Sequence, residues 1–233
     1  PPAEVKMFTE YLRAAGYYCT NNSKEDYQFI KTPTAWDECS KQGHWRNRPK
    51  DKPFFSVINL MVTHESRIWS KSKDSLLVAN DLEVPIPPYL PDAEVAKSDI
   101  RRMYSNIIEM DNQVGDILSQ LEEDGLLDKT IVIWYTDHGG PLPRQKRLLY
   151  ESGLEVPAII RFPNQQFAGQ RDDRLISFVD LAPTMLSITG IEPPDYIQGQ
   201  AFLGNYTRQQ EPKYLYAASD RFDEYTDRIR SVR

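Results

Sequence analysis

The most informative segment of the chain runs Thr130-Ile131-Val132-Ile133-Trp134-Tyr135-Thr136-Asp137-His138-Gly139-Gly140. Its first seven residues are apolar, aromatic or β-branched, which predicts a strand buried on both faces. The strand stops at Asp137-His138, so a carboxylate and an imidazole stand at the carboxyl end of a strand, where open α/β sheets bind their ligands. The following glycines also allow a simpler interpretation, a polar turn without a chemical role.

Helical and strand patterns alternate along the rest of the chain, without a low-complexity linker or an internal repeat, and this alternation predicts an α/β fold. Further strands are predicted at residues 17–20, 54–62 and 156–162, and helices at residues 5–15 and 180–189. Another set of apolar residues recurs at three- and four-residue steps and predicts the core face of a long helix. That set is Met103, Ile107, Met110, Val114, Ile117 and Leu121.

Two of the three histidines, His64 and His138, directly follow predicted strands. A single histidine at a strand end is usually a hydrogen-bonded structural residue, but two of them together with Asp137 favour a shared site. Lys146 and Arg147 follow on a loop near the same predicted sheet edge. Taken alone, these two cations are typical of a solvated basic turn.

Composition limits the function classes. The 233 residues are 40% hydrophobic and 27% charged, which predicts a folded chain with a substantial core. The net charge of −6 argues against a nucleic-acid or anionic-membrane partner, so an anionic substrate has to be met by a local basic pocket. No segment approaches the roughly 18 to 20 apolar residues of a membrane span. Cys19 and Cys39 have two open interpretations, a disulfide or two free thiols.

The chain resembles the sulfatases of the alkaline phosphatase superfamily, and the matching motifs run along nearly its whole length. They are residues 8–17 (Phe-Thr-Glu-Tyr-Leu-Arg-Ala-Ala-Gly-Tyr), Pro53-Phe54-Phe55, His64, residues 110–115 (Met-Asp-Asn-Gln-Val-Gly), residues 121–126 (Leu-Glu-Glu-Asp-Gly-Leu), Asp137-His138-Gly139, Lys146, Tyr150-Glu151-Ser152-Gly153, Val156-Pro157, and residues 178–184 (Phe-Val-Asp-Leu-Ala-Pro-Thr) with Gly190-Ile191. Residues 220–233 are most similar to the heparan N-sulfatase-like branch. The resemblance implies an α/β, alkaline-phosphatase-like fold, with a mainly parallel sheet flanked by helices.

The resemblance also implies a role for individual residues. Asp137 and His138 match the second pair of metal ligands of the family, which help to hold one divalent cation, usually Ca²⁺, while the imidazole would also suit Mn²⁺ or Zn²⁺. His64 matches the histidine that protonates the leaving group, and Lys146 matches the lysine that neutralises the sulfate oxygens.

Two further cations, Lys24 and Arg147, are assigned to substrate binding. The assignment of Lys24 is incomplete, because the family often has Gly-Lys-x-His there, whereas Glu25 and Asp26 follow in this chain. The nucleophile of the family is a formylglycine made from the cysteine of a Cys-x-Pro-x-Arg sequence. Neither Cys19 nor Cys39 lies in such a sequence.

We therefore expect residues 1–233 to form the central and later part of a single sulfatase-type catalytic domain. The formylglycine segment, the first pair of metal-binding aspartates and a small carboxy-terminal subdomain are expected outside them. The fold would then be incomplete at both ends, and this part alone would be inactive.

The sequence thus predicts a metal-dependent hydrolase of sulfate esters or sulfamates, acting on a sulfated carbohydrate or an aryl sulfate. Its location is expected to be extracellular, periplasmic or lysosomal, and no oligomeric state is predicted. Two alternatives stay open. One is a phosphatase or phosphodiesterase of the same superfamily, in which Asp-His-Gly also occurs, and the other is a non-catalytic glycan-binding or scaffold protein.

Overall fold

The computed structural model of the chain describes residue 2 and residues 4–233. The α-helices within these residues are α1 (Phe8–Ala14), α2 (Ser66–Ser70), α3 (Glu94–Glu123), α4 (Glu151–Leu154) and α5 (Leu181–Ile188). The strands are β1 (Tyr18–Asn22), β2 (Glu38–Cys39), β3 (Phe54–Ile58), β4 (Val132–Tyr135), β5 (Ala158–Arg161), β6 (Tyr216–Phe222) and β7 (Tyr225–Val232). The chain divides into two compact units.

The first unit comprises Pro1–Asn59, Asp173–Leu215 and Arg233. It contains a three-stranded parallel sheet in the order β2-β1-β3, with the register of β1 and β3 running from Tyr18 opposite Phe54 to Asn22 opposite Ile58. Helices α1 and α5 contact each other. The core of this unit contains a fully buried cluster with one residue each from α1, β1 and α5, namely Leu12, Cys19 and Leu186. Burial of these side chains away from water stabilises the packing of the three elements.

The second unit comprises Leu60–Asp172 and Tyr216–Val232. Its longest element is the 30-residue helix α3, which ends before Gly125, a glycine at φ +65°. Strands β4 and β5 pair in antiparallel fashion, as do β6 and β7. Val84, Ile100 and Leu142 form the buried core cluster of this unit. All of the residues that the sequence places at the predicted site, except Lys24, lie in this unit.

The predicted helices and strands are confirmed in existence and type, with three corrections. The strand predicted at residues 54–62 ends at Ile58, because its partner β1 ends at Asn22 and only the N–H of Asn59 continues the ladder, donating to the Asn22 carbonyl. His64 therefore belongs to a turn that precedes α2, not to a strand end. The helix face predicted on α3 is only partly covered: Leu121 is buried, but Ile107 is 43% exposed.

The third correction concerns burial. The strand β4 is not buried on both faces in the part of the chain that the structure describes, since Tyr135 is 44% exposed and Ile159 of its only partner, β5, is 63% exposed.

Both cysteines are free thiols, and burial raises the pKa of Cys19 to about 12. Among the described residues, no helix has the length and apolar character that crossing a membrane requires.

Candidate active site

The first element of the candidate site is the turn that carries His64. The backbone N–H of His64 donates to the carbonyl of Met61 (3.3 Å), and the N–H of Arg67 donates to the carbonyl of His64 (2.8 Å) as α2 begins. The imidazole Nδ1 lies 2.9 Å from the Ser66 hydroxyl. The ring is therefore fixed at the start of a helix by a residue of its own turn.

The second element is the loop that follows β4. The N–H of Gly139 donates to the carbonyl of Gly153 (3.0 Å), and a Cβ at Gly139 would lie 1.8 Å from the Ser152 carbonyl oxygen. A Cβ at Gly153 would lie 2.2 Å from the carbonyl oxygen of Leu148. Only glycine allows backbone to approach backbone this closely. The segment that carries Asp137 and His138 is thus packed directly onto residues 145–153, which form a loop and the start of α4.

The orientation of His138 suits a metal ligand. Its Nδ1 lies 2.6 Å from the carbonyl oxygen of Gly139, which is a hydrogen bond only if Nδ1 carries the ring proton. In the neutral ring, Nε2 then holds the lone pair, and it faces Asp137 Oδ1 at 3.5 Å. A backbone carbonyl that fixes the tautomer in this way is common behind metal-bound histidines.

The spacing of these two atoms also fits a shared cation. Ligand atoms about 2.0 to 2.5 Å from one metal ion and at roughly right angles lie about 3 to 3.5 Å apart. Asp137 and His138 are therefore spaced to supply two of the ligands of one metal ion. Within residue 2 and residues 4–233, no group of three or more histidine, cysteine, aspartate or glutamate side chains is arranged to hold a metal.

The third element is Lys146, whose amine joins the other two. Lys146 Nζ lies 3.1 Å from His64 Nε2 and 3.1 Å from Glu65 Oε1, while the Lys146 backbone N–H donates to the Gly140 carbonyl (3.3 Å). On its other side the ring faces Ser66, whose backbone N–H donates to Nδ1 (3.2 Å), so both ring nitrogens of His64 have polar partners.

Arg147 is held by two carboxylates. Its Nη1 and Nη2 donate to the two oxygens of Glu65 at 3.0 and 2.8 Å, a bidentate pair, and its Nε lies 3.6 Å from Asp223 Oδ1 between β6 and β7. Burial opposes ionisation of Glu65, but the hydrogen bonds from Lys146 and Arg147 outweigh it and lower the pKa of that carboxyl. The carboxylate is therefore ionised at neutral pH.

The loop that carries these cations has a constrained backbone. Arg144 and Arg147 adopt φ values of +64° and +71°, a region that non-glycine residues rarely occupy. The Arg144 guanidinium lies over the rings of Tyr89 (5.0 Å) and Tyr150 (4.6 Å), and these cation–π contacts help to hold the conformation. Sparsely populated backbone conformations of this kind cluster at functional sites.

The structure brings together most of the residues that the sequence predicts. His64 contacts Lys146, Asp137 contacts His138, and the backbone bond between Lys146 and Gly140 links the two pairs. The predicted setting was wrong, because the site is not at the carboxyl edge of one parallel sheet: β3 and β4 belong to different sheets. Lys24 lies in the first unit, where its amine pairs with Asp26 (3.3 Å), and its role stays a prediction.

Sequence reasoning missed two residues, Glu65 and Asp223. Glu65 directly follows His64, so the sequence offered one signal for it, an acidic residue next to a predicted site residue. The sequence offered no signal for Asp223. It lies in the turn between β6 and β7, 76 positions along the chain from Arg147, and its Oδ1 is 3.6 Å from Arg147 Nε.

Comparison with known proteins yields a consistent set of relatives. Residues 6–191 match the family model described as Sulfatase. An ulvan-active sulfatase of Formosa agariphila is 50% identical over 267 residues, covering 100% of this chain and 45% of the relative. The N-sulphoglucosamine sulphohydrolase of Homo sapiens is 33% identical over 116 residues, covering 49% of this chain and 23% of the relative. The chain spans less than half the length of either protein.

A solved structure supports the fold. A protein in complex with its substrate D-glucosamine-2-N,6-O-disulfate superimposes with a TM-score of 0.71 at 19% identity, covering 100% of this chain and 72% of that chain. At this identity the likeness shows the fold alone. The predicted fold class, α/β and alkaline-phosphatase-like with a parallel sheet, is confirmed.

Proposed function

Because the chain belongs to the sulfatase family, we propose that the whole protein hydrolyses sulfate esters or sulfamates of a sulfated carbohydrate at the site around His64 and Lys146. The observation that carries the proposal is the contact of Lys146 Nζ with His64 Nε2, 3.1 Å, on a loop packed against Asp137 and His138. A cation for the sulfate and a proton carrier for the leaving group are thereby neighbours.

The proposed division of labour follows from the charges. Lys146 neutralises the non-bridging sulfate oxygens, and Arg147 supplies a second cation beside it. His64 donates a proton to the departing oxygen or nitrogen, which makes it a better leaving group. Nε2 faces the Lys146 amine at 3.1 Å in this structure, so the lysine has to turn toward the sulfate before a protonated Nε2 can donate to the leaving group.

We further propose that Asp137 and His138 hold a divalent cation, Ca²⁺ first and Mn²⁺ or Zn²⁺ as alternatives. When bound, such a cation stabilises negative charge that develops on the sulfate. The tautomer of His138 and its 3.5 Å separation from the Asp137 carboxylate support this assignment. By resemblance to the family, we propose a formylglycine nucleophile for the complete protein, and neither Cys19 nor Cys39 lies in the Cys-x-Pro-x-Arg sequence that would supply it.

The proposed substrate is an anionic polysaccharide of the ulvan type. The relative that covers the whole chain at 50% identity is an ulvan-active sulfatase, and the N-sulphoglucosamine sulphohydrolase is similar over a shorter stretch. A polysaccharide substrate agrees with the proposed extracellular, periplasmic or lysosomal location, where such polymers occur.

The test uses protein expressed from the complete coding sequence. Inorganic sulfate release is measured from 4-nitrophenyl sulfate, from ulvan oligosaccharides and from N-sulfated glucosamine, with 4-nitrophenyl phosphate as the comparison and Lys146→Ala as the control. We expect turnover of at least one sulfated substrate and a loss of about 10²- to 10³-fold in the variant. Faster turnover of the phosphate ester would support the phosphatase alternative instead, and no turnover of any ester would support the non-catalytic one.

A further inference from the structure

We propose that Glu65 is a positioning residue that holds Lys146 and Arg147 in the orientation that sulfate binding requires. The inference rests on the proposed function, because it deepens the account of the same site. Glu65 does not reach the reacting atoms in this assignment. It acts through the two cations that do.

The contacts of Glu65 are dense for a single carboxylate. One oxygen, Oε1, accepts from both Lys146 Nζ (3.1 Å) and Arg147 Nη2 (2.8 Å), and the other, Oε2, accepts from Arg147 Nη1 (3.0 Å). The side chains of Glu65 and Lys146 are only 16% and 18% exposed, so their charge-assisted bond is partly shielded from water, whereas the Arg147 side chain is 44% exposed. One carboxylate on the turn before α2 thus fixes two consecutive residues of a distant loop.

The geometry explains why such a residue is needed. Lys146 carries its charge on a flexible four-carbon stem, so the backbone alone does not place its amine against the His64 imidazole. Glu65 is the neighbour of His64 in sequence, and its carboxylate reaches the same amine that contacts His64 Nε2. One turn therefore places both the His64 imidazole and the Glu65 carboxylate, and both contact the Lys146 amine.

Charge neutralisation is the second consequence. The cations Lys146 and Arg147 are adjacent in sequence, and Glu65 lies between their charged groups, with Asp223 near the outer side of Arg147. Removing Glu65 takes away the negative charge that the two cations share, and it frees the Lys146 side chain to take other rotamers. An anionic substrate would still be attracted, but its sulfate would meet a misplaced amine. Because the sulfate oxygens are charged in substrate and transition state alike, the expected signature is a fall in kcat together with a rise in KM, both smaller than for Lys146→Ala.

The variant Glu65→Gln keeps the shape and one acceptor oxygen but removes the charge. Expressed from the complete coding sequence, it is expected to lower kcat for 4-nitrophenyl sulfate about 10-fold and to raise KM. In a background that carries both Lys146→Ala and Arg147→Ala, the same change is expected to cost less than about twofold, because both groups that Glu65 positions are then absent. Glu65→Asp keeps the charge and should restore part of kcat.

A matched control is Glu109→Gln, which removes a carboxylate from an ion pair with Lys71 (2.5 Å) in the same unit. It should leave kcat and KM close to those of the wild type. An effect of Glu65→Gln that is as large in the background of Lys146→Ala and Arg147→Ala as in the wild type would overturn the inference, since a purely structural role predicts additivity.

A second measurement does not depend on activity. Brief treatment with acetic anhydride, read by peptide mass spectrometry, reports the reactivity of the Lys146 amine, which has to leave both Glu65 and His64 to attack the reagent. We expect acetylation of Lys146 to be several-fold faster in Glu65→Gln and unchanged in Glu109→Gln. An unchanged rate in Glu65→Gln would contradict the inference even if the protein is a sulfatase. Absent sulfate turnover in the wild type with a faster Lys146 reaction would reject the proposed function and keep the positioning role.

Discussion

Lys146 Nζ contacts His64 Nε2 at 3.1 Å across 82 positions of sequence, and the same amine lies 3.1 Å from Glu65 Oε1. The other ring nitrogen of His64, Nδ1, accepts from the backbone N–H of Ser66 (3.2 Å). The amine and the imidazole therefore contact each other in this structure. Under the proposed function, a sulfate that binds Lys146 would free Nε2, the nitrogen to which the acid role is assigned.

The close approach at Gly139 gives a stability prediction. In Gly139→Ala, the new methyl group would lie 1.8 Å from the Ser152 carbonyl oxygen, so the backbone has to move. We expect a loss of about 1 to 3 kcal/mol in the free energy of unfolding, measured by urea denaturation. The movement should also displace Asp137 and His138 from the loop that carries Lys146.

The control for this substitution is Gly115→Ala. Gly115 lies inside α3, and a Cβ there would meet no atom within 4 Å. Replacing a helical glycine by alanine in open space is expected to stabilise the protein by about 0.5 to 1 kcal/mol. Similar destabilisation by both variants would show that the contact with Ser152 is not the cause.

The lowered pKa of Glu65 predicts a pH dependence of stability. Burial opposes the ionised form, but hydrogen bonds from Lys146 and Arg147 prevail, so the folded pKa lies below the ordinary value of 4.5. The ionised carboxylate therefore favours folding fully above about pH 4.5, and this contribution is lost as the pH falls through the folded pKa. At pH 7, Glu65→Gln should cost about 1 to 3 kcal/mol.

The measurement is a series of denaturation curves from pH 7 to pH 3 for the wild type and Glu65→Gln. The difference between them should shrink toward zero at the acid end. Glu192→Gln, at an exposed position, should change stability by less than about 0.5 kcal/mol throughout. A difference for Glu65→Gln that stays constant with pH would show that packing, and not charge, is what the substitution removes.

Metal binding provides another prediction. Asp137 and His138 offer two ligand atoms, so the 233-residue chain alone should bind Ca²⁺ with a Kd weaker than about 1 mM, because most of the coordination would remain with water. Calorimetric titration tests this. Stoichiometric metal retained by the chain after gel filtration into metal-free buffer would contradict it. In protein from the complete coding sequence, Asp137→Asn should reduce the bound metal found by elemental analysis.

The elements that the sequence predicted depend on local patterns. Short runs of apolar, aromatic and β-branched residues predicted β1, β3, β4 and β5, and the three- and four-residue steps predicted α3. Strand ends were less predictable. The end of β3 depends on where its partner β1 stops, which is a property of pairing and not of the residues beyond Ile58.

The candidate site was predicted only in part for the same reason. Asp137 and His138 are sequence neighbours at a strand end, so their association is local, and family resemblance identified His64 and Lys146. The positioning contacts of Glu65 and the approach of Asp223 depend on long-range packing of side chains. No periodicity in the sequence records such contacts. The pairing of β4 with β5 in antiparallel fashion likewise has no local signature.

The most direct test of the account compares leaving groups. In protein from the complete coding sequence, Lys146→Ala should raise KM as well as lower kcat, because the sulfate oxygens are charged in substrate and transition state alike. His64→Ala should lower kcat with little change in KM, because the charge on the leaving group appears only as the bond breaks. Sulfate release from an activated aryl sulfate and from a sulfated sugar is measured for both variants. We predict that His64→Ala lowers kcat mildly for the aryl sulfate and severely for the sulfated sugar. An equal loss of kcat on both substrates would contradict the assignment of His64 as the acid.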